Sequence, residues 1–162
     1  MADQASFPTP DALLEQEARL VLPSLGEGDA IAIGRLLLAR AEHRSLPVVI
    51  EVRRLGRVVF RAALPGSNPD NDAWITGKAA VVERFGHASF YVGRKHADAG
   101  TTFEAATGLS MPGFAAHGGG FPLAVAGTGI VGMALVSGLP QEEDHALIVE
   151  CLEAYLAGER AS

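Results

Sequence analysis

His117 stands directly before three consecutive glycines, and this segment joins a side chain that often binds metals to a backbone that a ligand can approach closely. A phosphate-binding loop is disfavoured, because Phe121 follows the glycines in place of the Lys-Ser/Thr pair that such loops carry. A dinucleotide-binding turn is disfavoured too, because the run leads into a predicted strand instead of a helix. Two interpretations stay open: a structural connection between paired strands, or a ligand site at His117, Gly118 and Gly119.

The Ser137-Gly138 pair ends a predicted buried strand just before the last predicted helix. Free backbone N–H groups at such a helix start bind a ligand or are satisfied by ordinary capping. Three acidic residues at 142–144 already complement the helix dipole and would repel a phosphate, so a site here suits a cation, a neutral polar group or a partner chain. With the glycine-rich segment, the candidate ligand-binding residues are His117, Gly118, Gly119, Ser137, Gly138, Gln141, Asp144 and His145.

Spacing assigns no catalytic residue. A triad of Ser137, Asp144 and His145 is disfavoured, because adjacent residues on a helix do not face each other and no G-x-S-x-G elbow is present. Cys151 lies on the apolar face of the last predicted helix, which indicates a small buried hydrophobe. No pair of histidines has the spacing of a helical metal site, so the sequence names no metal ligand.

A second group of candidates lies on and after the third predicted helix. Three roles stay open for its charged members: they are surface charges, they bind carboxylates such as the propionates of haem, or they hold subunits together. The sequence does not distinguish among these roles. The candidates for a subunit interface or a second site are Asp72, Trp74, Lys78, Arg84, His87 and Tyr91.

Hydrophobic periodicity and cap signals predict six helices around these residues. The second follows an expected N-cap at Asp29 and is apolar nearly all round, which indicates burial or an interface. Gly34 within it indicates close packing. The third is the clearest amphipathic helix and ends at Gly86, a typical left-handed cap. The predicted helices cover residues 11–21, 29–41, 72–85, 89–96, 101–108 and 140–158.

Five strands are predicted, at residues 47–54, 57–63, 113–118, 121–126 and 130–137. The first two form a β-hairpin. The last is apolar without alternation, as expected for a central strand that is covered on both faces. Helices and strands are segregated along the chain, so the pattern favours an α+β fold with an antiparallel sheet.

Length and composition limit the classes of protein to consider. The 162 residues suit one domain, predicted at 10–162 after a flexible tail at 1–9. A net charge of -6, with the basic cluster at 53–61 split across a hairpin, argues against a nucleic-acid partner. No stretch reaches the roughly 20 apolar residues of a membrane span. Without a membrane partner or a secretory signal, the predicted location is cytoplasmic.

Four segments of the sequence carry a family resemblance. They are DNDAWI at 70–75, RFGHASFY at 84–91, AAHGGGFP at 115–122 and VSGLPQEEDH at 136–145. In this order they resemble the cytosolic branch of the GlcG/HbpS-like haem-degrading-domain family, and the resemblance covers about residues 10–158. It implies a profilin-like fold, with helices packed around a five-stranded antiparallel sheet. It also implies a homo-oligomer, which would cover the apolar second helix. Haem enters as a candidate cofactor through the family name alone.

Three hypotheses about function follow. In the first and favoured one, the protein is an oligomeric binding or accessory protein for haem, a metal or a small metabolite, with a pocket near His117 and Ser137. In the second it is a homo-oligomeric structural or protein-interaction scaffold, and no sizeable pocket is expected. In the third it is a small-molecule enzyme that uses His117, Asp144 or His145 as acid or base, and a strongly perturbed pKa is expected in the pocket.

Overall fold

The computed structural model describes residues 6–162. Within this part of the chain, helices alternate irregularly with strands. The helices are α1 (Pro10–Arg19), α2 (Glu27–His43), α3 (Pro69–Phe85), α4 (Ser89–Asp98), α5 (Phe103–Thr107) and α6 (Gln141–Leu156). The strands are β1 (Val49–Arg54), β2 (Arg57–Ala63), β3 (Gly120–Val125) and β4 (Gly129–Ser137).

The strands form one antiparallel sheet in the order β2-β1-β4-β3. The prediction of an α+β fold with an antiparallel sheet is confirmed, but the prediction of five strands is wrong, because the described sheet has four. Residues 113–118 form a turn and irregular chain, and the N–H of Ala115 donates to the Gly77 carbonyl of α3. The glycines that follow are pressed against α6 and β4, so this segment packs between helices and joins no strand ladder.

Alternate side chains of the central strands enter two hydrophobic layers, as the pleat of a sheet requires. One layer lies beneath α2 and α6, and the other lies beneath α3. β4 contributes to both layers, with Ala134 and Val136 on one face and Leu135 on the other. The prediction that this strand is central and covered on both faces is confirmed.

The apolar character of α2 is explained inside the chain. Its buried side chains pack against β1, β2 and α6. A Cβ atom at Gly34 would lie 2.3 Å from Cγ of Phe60, which confirms that this glycine marks a close contact. The helix starts two residues before the expected cap, because Asp29 occupies its third position and accepts a hydrogen bond from the Gly26 N–H at 2.7 Å. The burial of α2 therefore does not require a second subunit.

The two edges of the sheet differ. Leu22 covers the outer edge of β3, since its N–H donates to the Ala124 carbonyl at 2.8 Å and its carbonyl accepts from the Ala126 N–H at 2.9 Å. β2 forms the other edge, and much of it is exposed. Among residues 6–162, no helix is long and apolar enough to cross a membrane.

The segment before α1 is attached to α4. The first five residues of the predicted tail at 1–9 lie outside the described residues. The ring of Phe7 meets that of Phe90 edge-on, with 5.5 Å between centroids, and the guanidinium of Arg94 lies over Phe7. Thr9 caps α1 through its hydroxyl oxygen, which accepts from the Ala12 N–H at 3.2 Å.

Candidate functional site

Gly118 and Gly119 let three elements meet at one end of the sheet. A Cβ atom at Gly118 would lie 2.2 Å from the carbonyl oxygen of Gln141 in α6. One at Gly119 would lie 2.3 Å from the carbonyl oxygen of Val136 in β4 and 2.6 Å from Nζ of Lys78 in α3. Gly119 also has a φ of 122°, which side-chain-bearing residues rarely adopt. Any larger residue here would push α3, β4 and α6 apart.

Lys78 and Asp144 form a buried ion pair through the space that these glycines leave. Nζ of Lys78 lies 3.0 Å from Oδ2 of Asp144 and donates to the Val136 carbonyl at 2.9 Å. The second carboxylate oxygen of Asp144 accepts from the Leu139 N–H at 3.0 Å, which anchors the carboxylate at the start of α6. Burial lowers the pKa of Lys78 and raises that of Asp144 to about 6, so both groups shift toward their neutral forms.

A cavity of about 400 Å³ opens beside this ion pair. It lies between α3, the end of β4 and the start of α6. Its walls contain two large apolar side chains, those of Trp74 and Leu139, and most of the other lining residues are polar. The lining residues are Asn71, Trp74, Lys78, His117, Ser137, Gly138, Leu139, Gln141 and Asp144.

Four side chains of this cavity keep a donor group without a partner among the described residues. The amide oxygen of Asn71 accepts from the Asn68 N–H at 2.9 Å, and that of Gln141 accepts from the Gly118 N–H at 3.0 Å. Their amide N–H groups, the indole N–H of Trp74 and the hydroxyl of Ser137 make no hydrogen bond within residues 6–162. The site therefore presents hydrogen-bond donors from four side chains to a ligand.

His117 forms one wall of the cavity. Its ring meets that of Trp74 edge-on, with 5.0 Å between centroids. Its carbonyl accepts a hydrogen bond of 2.5 Å from the Ser89 hydroxyl, which holds the backbone of this segment against α4. Burial, and then the positive charge of Lys78, lower the pKa of the imidazole, so His117 is neutral near pH 7.

A second cavity, of about 170 Å³, lies on the other side of His117 and Gln141. Arg94 and Glu104 are among its lining residues. His117 and Gln141 therefore form the partition between the two cavities.

The structure brings five of the candidate ligand-binding residues to the first cavity: His117, Ser137, Gly138, Gln141 and Asp144. Gly118 and Gly119 lie behind them and permit the close approach of α3 and α6. His145 does not line the cavity, because its ring is buried against Phe90 and Phe121. Its Nε2–H donates to the Gln16 amide oxygen at 2.7 Å, and burial lowers its pKa to about 4.

The candidates for an interface or second site separate into four places. Trp74 and Lys78 belong to the first cavity. Asp72 forms an ion pair with Arg61 on β2, and Arg84 lies over the ring of Phe114. His87 contacts Tyr91, with ring centroids 4.7 Å apart.

Two carboxylates with structural roles were not identified from the sequence. Glu17 of α1 accepts from the Ala88 N–H at 2.5 Å and pairs with Nδ1 of His87 at 2.8 Å, so it caps α4 from another helix. Glu51 of β1 is buried and pairs with Arg53 and Arg61. The alternation of β1 places Glu51 on the same face as the apolar Val49, and an acid at such a position is a sign of a buried ion pair.

The residues of the cavity do not fit haem. His117 is a suitable axial ligand, but haem propionates require cationic partners. Among the described residues, the lining contains no arginine, and its one lysine already pairs with Asp144. For a metal, no group of three or more His, Cys, Asp or Glu side chains converges among residues 6–162. Cys151 is buried, and burial raises the pKa of its thiol to about 12, as expected for an unreactive residue.

Comparison with known proteins places the chain in a family. A sequence profile described as haem degrading protein HbpS-like matches residues 25–153. A UPF0303 protein of Streptomyces avermitilis is 51% identical over 156 residues, which are 96% of this chain and 96% of that protein. The crystal structure of Ybr137w protein matches with a TM-score of 0.84 and 32% identity, over 94% of this chain and 90% of that one.

A crystal structure of a PduOC:Heme complex also matches, with a TM-score of 0.68 and 19% identity, over 81% of this chain and 94% of that one. At this identity the likeness shows the fold alone. The profile match and the close UPF0303 relative carry the assignment. The chain therefore belongs to the HbpS-like haem-degrading protein family.

Proposed function

We propose that this protein binds a small, polar, oxygen-rich molecule in the cavity between α3, β4 and α6. The observation that carries the proposal is a set of donor groups that have no partner in the described part of the chain and line one cavity of about 400 Å³. They belong to Asn71, Trp74, Ser137 and Gln141. These donors face the cavity and are bonded to no protein acceptor among residues 6–162, so carbonyl or hydroxyl oxygens of a ligand can accept from them. The scaffold hypothesis predicts no sizeable pocket, so the presence of this cavity favours a binding protein over a scaffold.

The charge of the site favours a neutral molecule or one of low charge. Lys78 and Asp144 neutralise each other, and within residues 6–162 no unpaired cation lines the cavity. The acidic side chains of Glu142 and Glu143 on the first turn of α6 disfavour a phosphate or other multiply charged anion. Haem is the alternative that the family description raises, although the lining residues argue against it.

Trp74 is the only tryptophan of the chain and lies in the cavity wall, so intrinsic tryptophan emission reports on this site alone. Dihydroxyacetone and glycerol are suitable probes, since both are small, neutral and rich in oxygen acceptors. We expect a saturable change in Trp74 emission with dihydroxyacetone. The variant Asn71→Asp keeps the oxygen that accepts from Asn68 but removes the N–H donor, and it should weaken binding roughly fivefold to tenfold.

Asn68→Asp is the matched control. It makes the same chemical change at the N-cap of α3, keeps the oxygen that accepts from the Asp70 N–H, and lies outside the cavity lining. Its affinity should equal that of the wild type. Emission that does not respond to either probe, or an equal affinity in Asn71→Asp, would overturn the proposal. A Soret shift on titration with haemin that saturates at one haem per chain and is lost in His117→Ala would overturn it in favour of haem.

We further propose that the protein assembles as a homo-oligomer in the cytoplasm. The assembly is supported by two exposed apolar side chains, Leu55 and Ile130, which both line a cavity of about 360 Å³ at the hairpin end of the sheet. The location remains a prediction from the sequence.

A further inference from the structure

We propose that Lys78 captures the carbonyl group of an aldehyde or ketone as an imine, with Asp144 as the acid and base of the reaction. The inference rests on the proposed function, because the carbonyl compound would occupy the same cavity. It adds a covalent step, and it narrows the ligand to a small molecule with an aldehyde or ketone group.

The geometry brings an amine, a proton acceptor and a cavity together. Lys78 is one of the residues that line the cavity, and its Nζ lies 3.0 Å from Oδ2 of Asp144. Two of its three N–H groups are engaged, by Asp144 and by the Val136 carbonyl, which leaves one position of the nitrogen uncommitted. Asp144 is held by the Leu139 N–H, so its carboxylate stays oriented while it exchanges a proton with Lys78.

The burial of this pair suits a reactive amine. An ammonium group is not a nucleophile, and lysines become nucleophilic when an apolar or crowded site disfavours their charge. Lys78 is 2% exposed, and the same burial that lowers its pKa raises that of Asp144. A proton passed from Nζ to Oδ2 leaves a neutral amine beside a carboxylic acid, with no charge left in the buried site.

Atoms and electrons balance without an oxidant or reductant. The proton of Lys78 moves to Asp144, and the amine lone pair forms a bond to the carbonyl carbon as the C=O π electrons move to oxygen. That oxygen takes the proton from Asp144, which next removes a proton from nitrogen. Asp144 then protonates the hydroxyl group, the C–O bond breaks, and the nitrogen lone pair closes the C=N bond. The products are a protonated imine paired with the Asp144 carboxylate and one molecule of water.

The identity of the basic residues also supports a reactive role for Lys78. Eleven of the 13 Lys and Arg residues are arginine, and the two lysines are Lys78 and Lys95. Lys95 is exposed on α4, whereas Lys78 is the buried one. A structural ion pair gains little over apolar packing of similar volume, and arginine could supply the positive charge but could not release its proton.

Reductive trapping tests the inference. The folded wild-type protein is incubated with dihydroxyacetone and sodium cyanoborohydride near pH 7, and labelled sites are located by intact mass and peptide mapping. We expect Lys78 to be labelled roughly tenfold faster than Lys95, which serves as an internal control within the same chain. Glycerol, which has no carbonyl group, should give no label.

Three variants separate reactivity from folding. Lys78→Arg and Lys78→Met should lose the fast label at position 78 and keep the slow label at Lys95, with circular dichroism used to verify that each is folded. Asp144→Asn should slow the labelling of Lys78 at least tenfold through the loss of the proton acceptor. Labelling that is equal at both lysines, or unchanged in Asp144→Asn, would overturn the inference.

The emission of Trp74 distinguishes the two proposals. A saturable change in emission together with a label on Lys78 supports both. A saturable change without a label on Lys78 overturns the imine and leaves the binding function standing. No change in emission and no label on Lys78 overturn both.

Discussion

Asp144 and His145 are consecutive buried residues of α6, and burial shifts their pKa values in opposite directions. The pKa of Asp144 rises to about 6, and that of His145 falls to about 4. Asp144 points toward Lys78 and the cavity, whereas His145 points toward Gln16, Phe90 and Phe121, none of which carries a charge. Adjacent positions on one helix thus serve a polar site and the hydrophobic core.

We expect His145 to make the protein more stable as the pH rises from 4 to 6.5. Its folded pKa of about 4 lies below its ordinary value of 6.5, so the unfolded state binds more protons in this window and the free energy of unfolding increases with pH. The shift corresponds to about 3 kcal/mol. In urea unfolding across this range, the difference in stability between wild type and His145→Gln should grow by about that amount.

The titration of Asp144 changes the free energy of unfolding with pH in the opposite direction, so the contributions of Asp144 and His145 must be measured separately. Its folded pKa lies above the ordinary value of 3.8, so its contribution to stability is present below pH 3.8 and is lost as the pH rises through about 6. Both proteins in the comparison contain Asp144, so their difference isolates His145. His43→Gln changes an exposed histidine and should follow the wild type. A difference that stays constant with pH would contradict a neutral, buried His145.

At the scale of elements, α2 is fixed by its contact with the edge strand β2. Gly34 faces the ring and Cβ of Phe60 so closely that no side chain fits between the helix and the strand. The contact involves the base of the Phe60 side chain, which cannot move without its backbone. This explains a glycine in the middle of a helix, where it is intrinsically unfavourable by about 1 kcal/mol relative to alanine.

Gly34→Ala should lower the free energy of unfolding by about 1–3 kcal/mol, because overpacking outweighs the better helix propensity of alanine. The matched control is Gly28→Ala in the first turn of α2, where a Cβ would meet nothing within 4 Å. That variant should be more stable than the wild type by about 0.4–1 kcal/mol. Chemical denaturation measures both. Equal effects of the two substitutions would contradict the close contact of α2 with β2.

At the scale of the whole molecule, the proposed oligomer needs a surface other than α2, which is covered within the chain. The exposed side chains of Leu55 and Ile130 offer one, at the end of the sheet opposite the cavity beside Lys78. Their exposed fractions are 71% and 48%, which is unfavourable for large apolar groups that stand together in water.

The double variant Leu55→Lys/Ile130→Lys should therefore have a lower molecular mass in solution than the wild type, because charged groups oppose association through this patch. Analytical ultracentrifugation or light scattering measures the mass. Leu156→Lys makes the same change at an exposed leucine of α6 and should leave the mass unaltered. A wild-type protein that sediments as a monomer would rule out the oligomer, and an unaltered mass in the double variant would rule out this surface.

Local sequence determined most of the elements of this protein. The periodicity from Trp74 to Phe85 and the left-handed Gly86 define the end of α3, and the alternation on either side of Leu55 defines the hairpin. These signals lie within a few residues of the structure they specify, so they can be recognised without knowledge of the fold. His117, Ser137 and Asp144 could be selected as site candidates in the same way, from their positions beside glycines and a helix start.

Only the tertiary structure determined which of those residues pair with each other and which share a cavity. Lys78 and Asp144 are 66 residues apart, and nothing in either neighbourhood indicates that they form a buried pair. The glycines after His117 suggest a connection between strands, yet they leave space for α3, β4 and α6 to meet, and the strand predicted at 113–118 does not form. Short-range patterns specify which segments are helix or strand, whereas close packing between distant segments determines which side chains share a cavity.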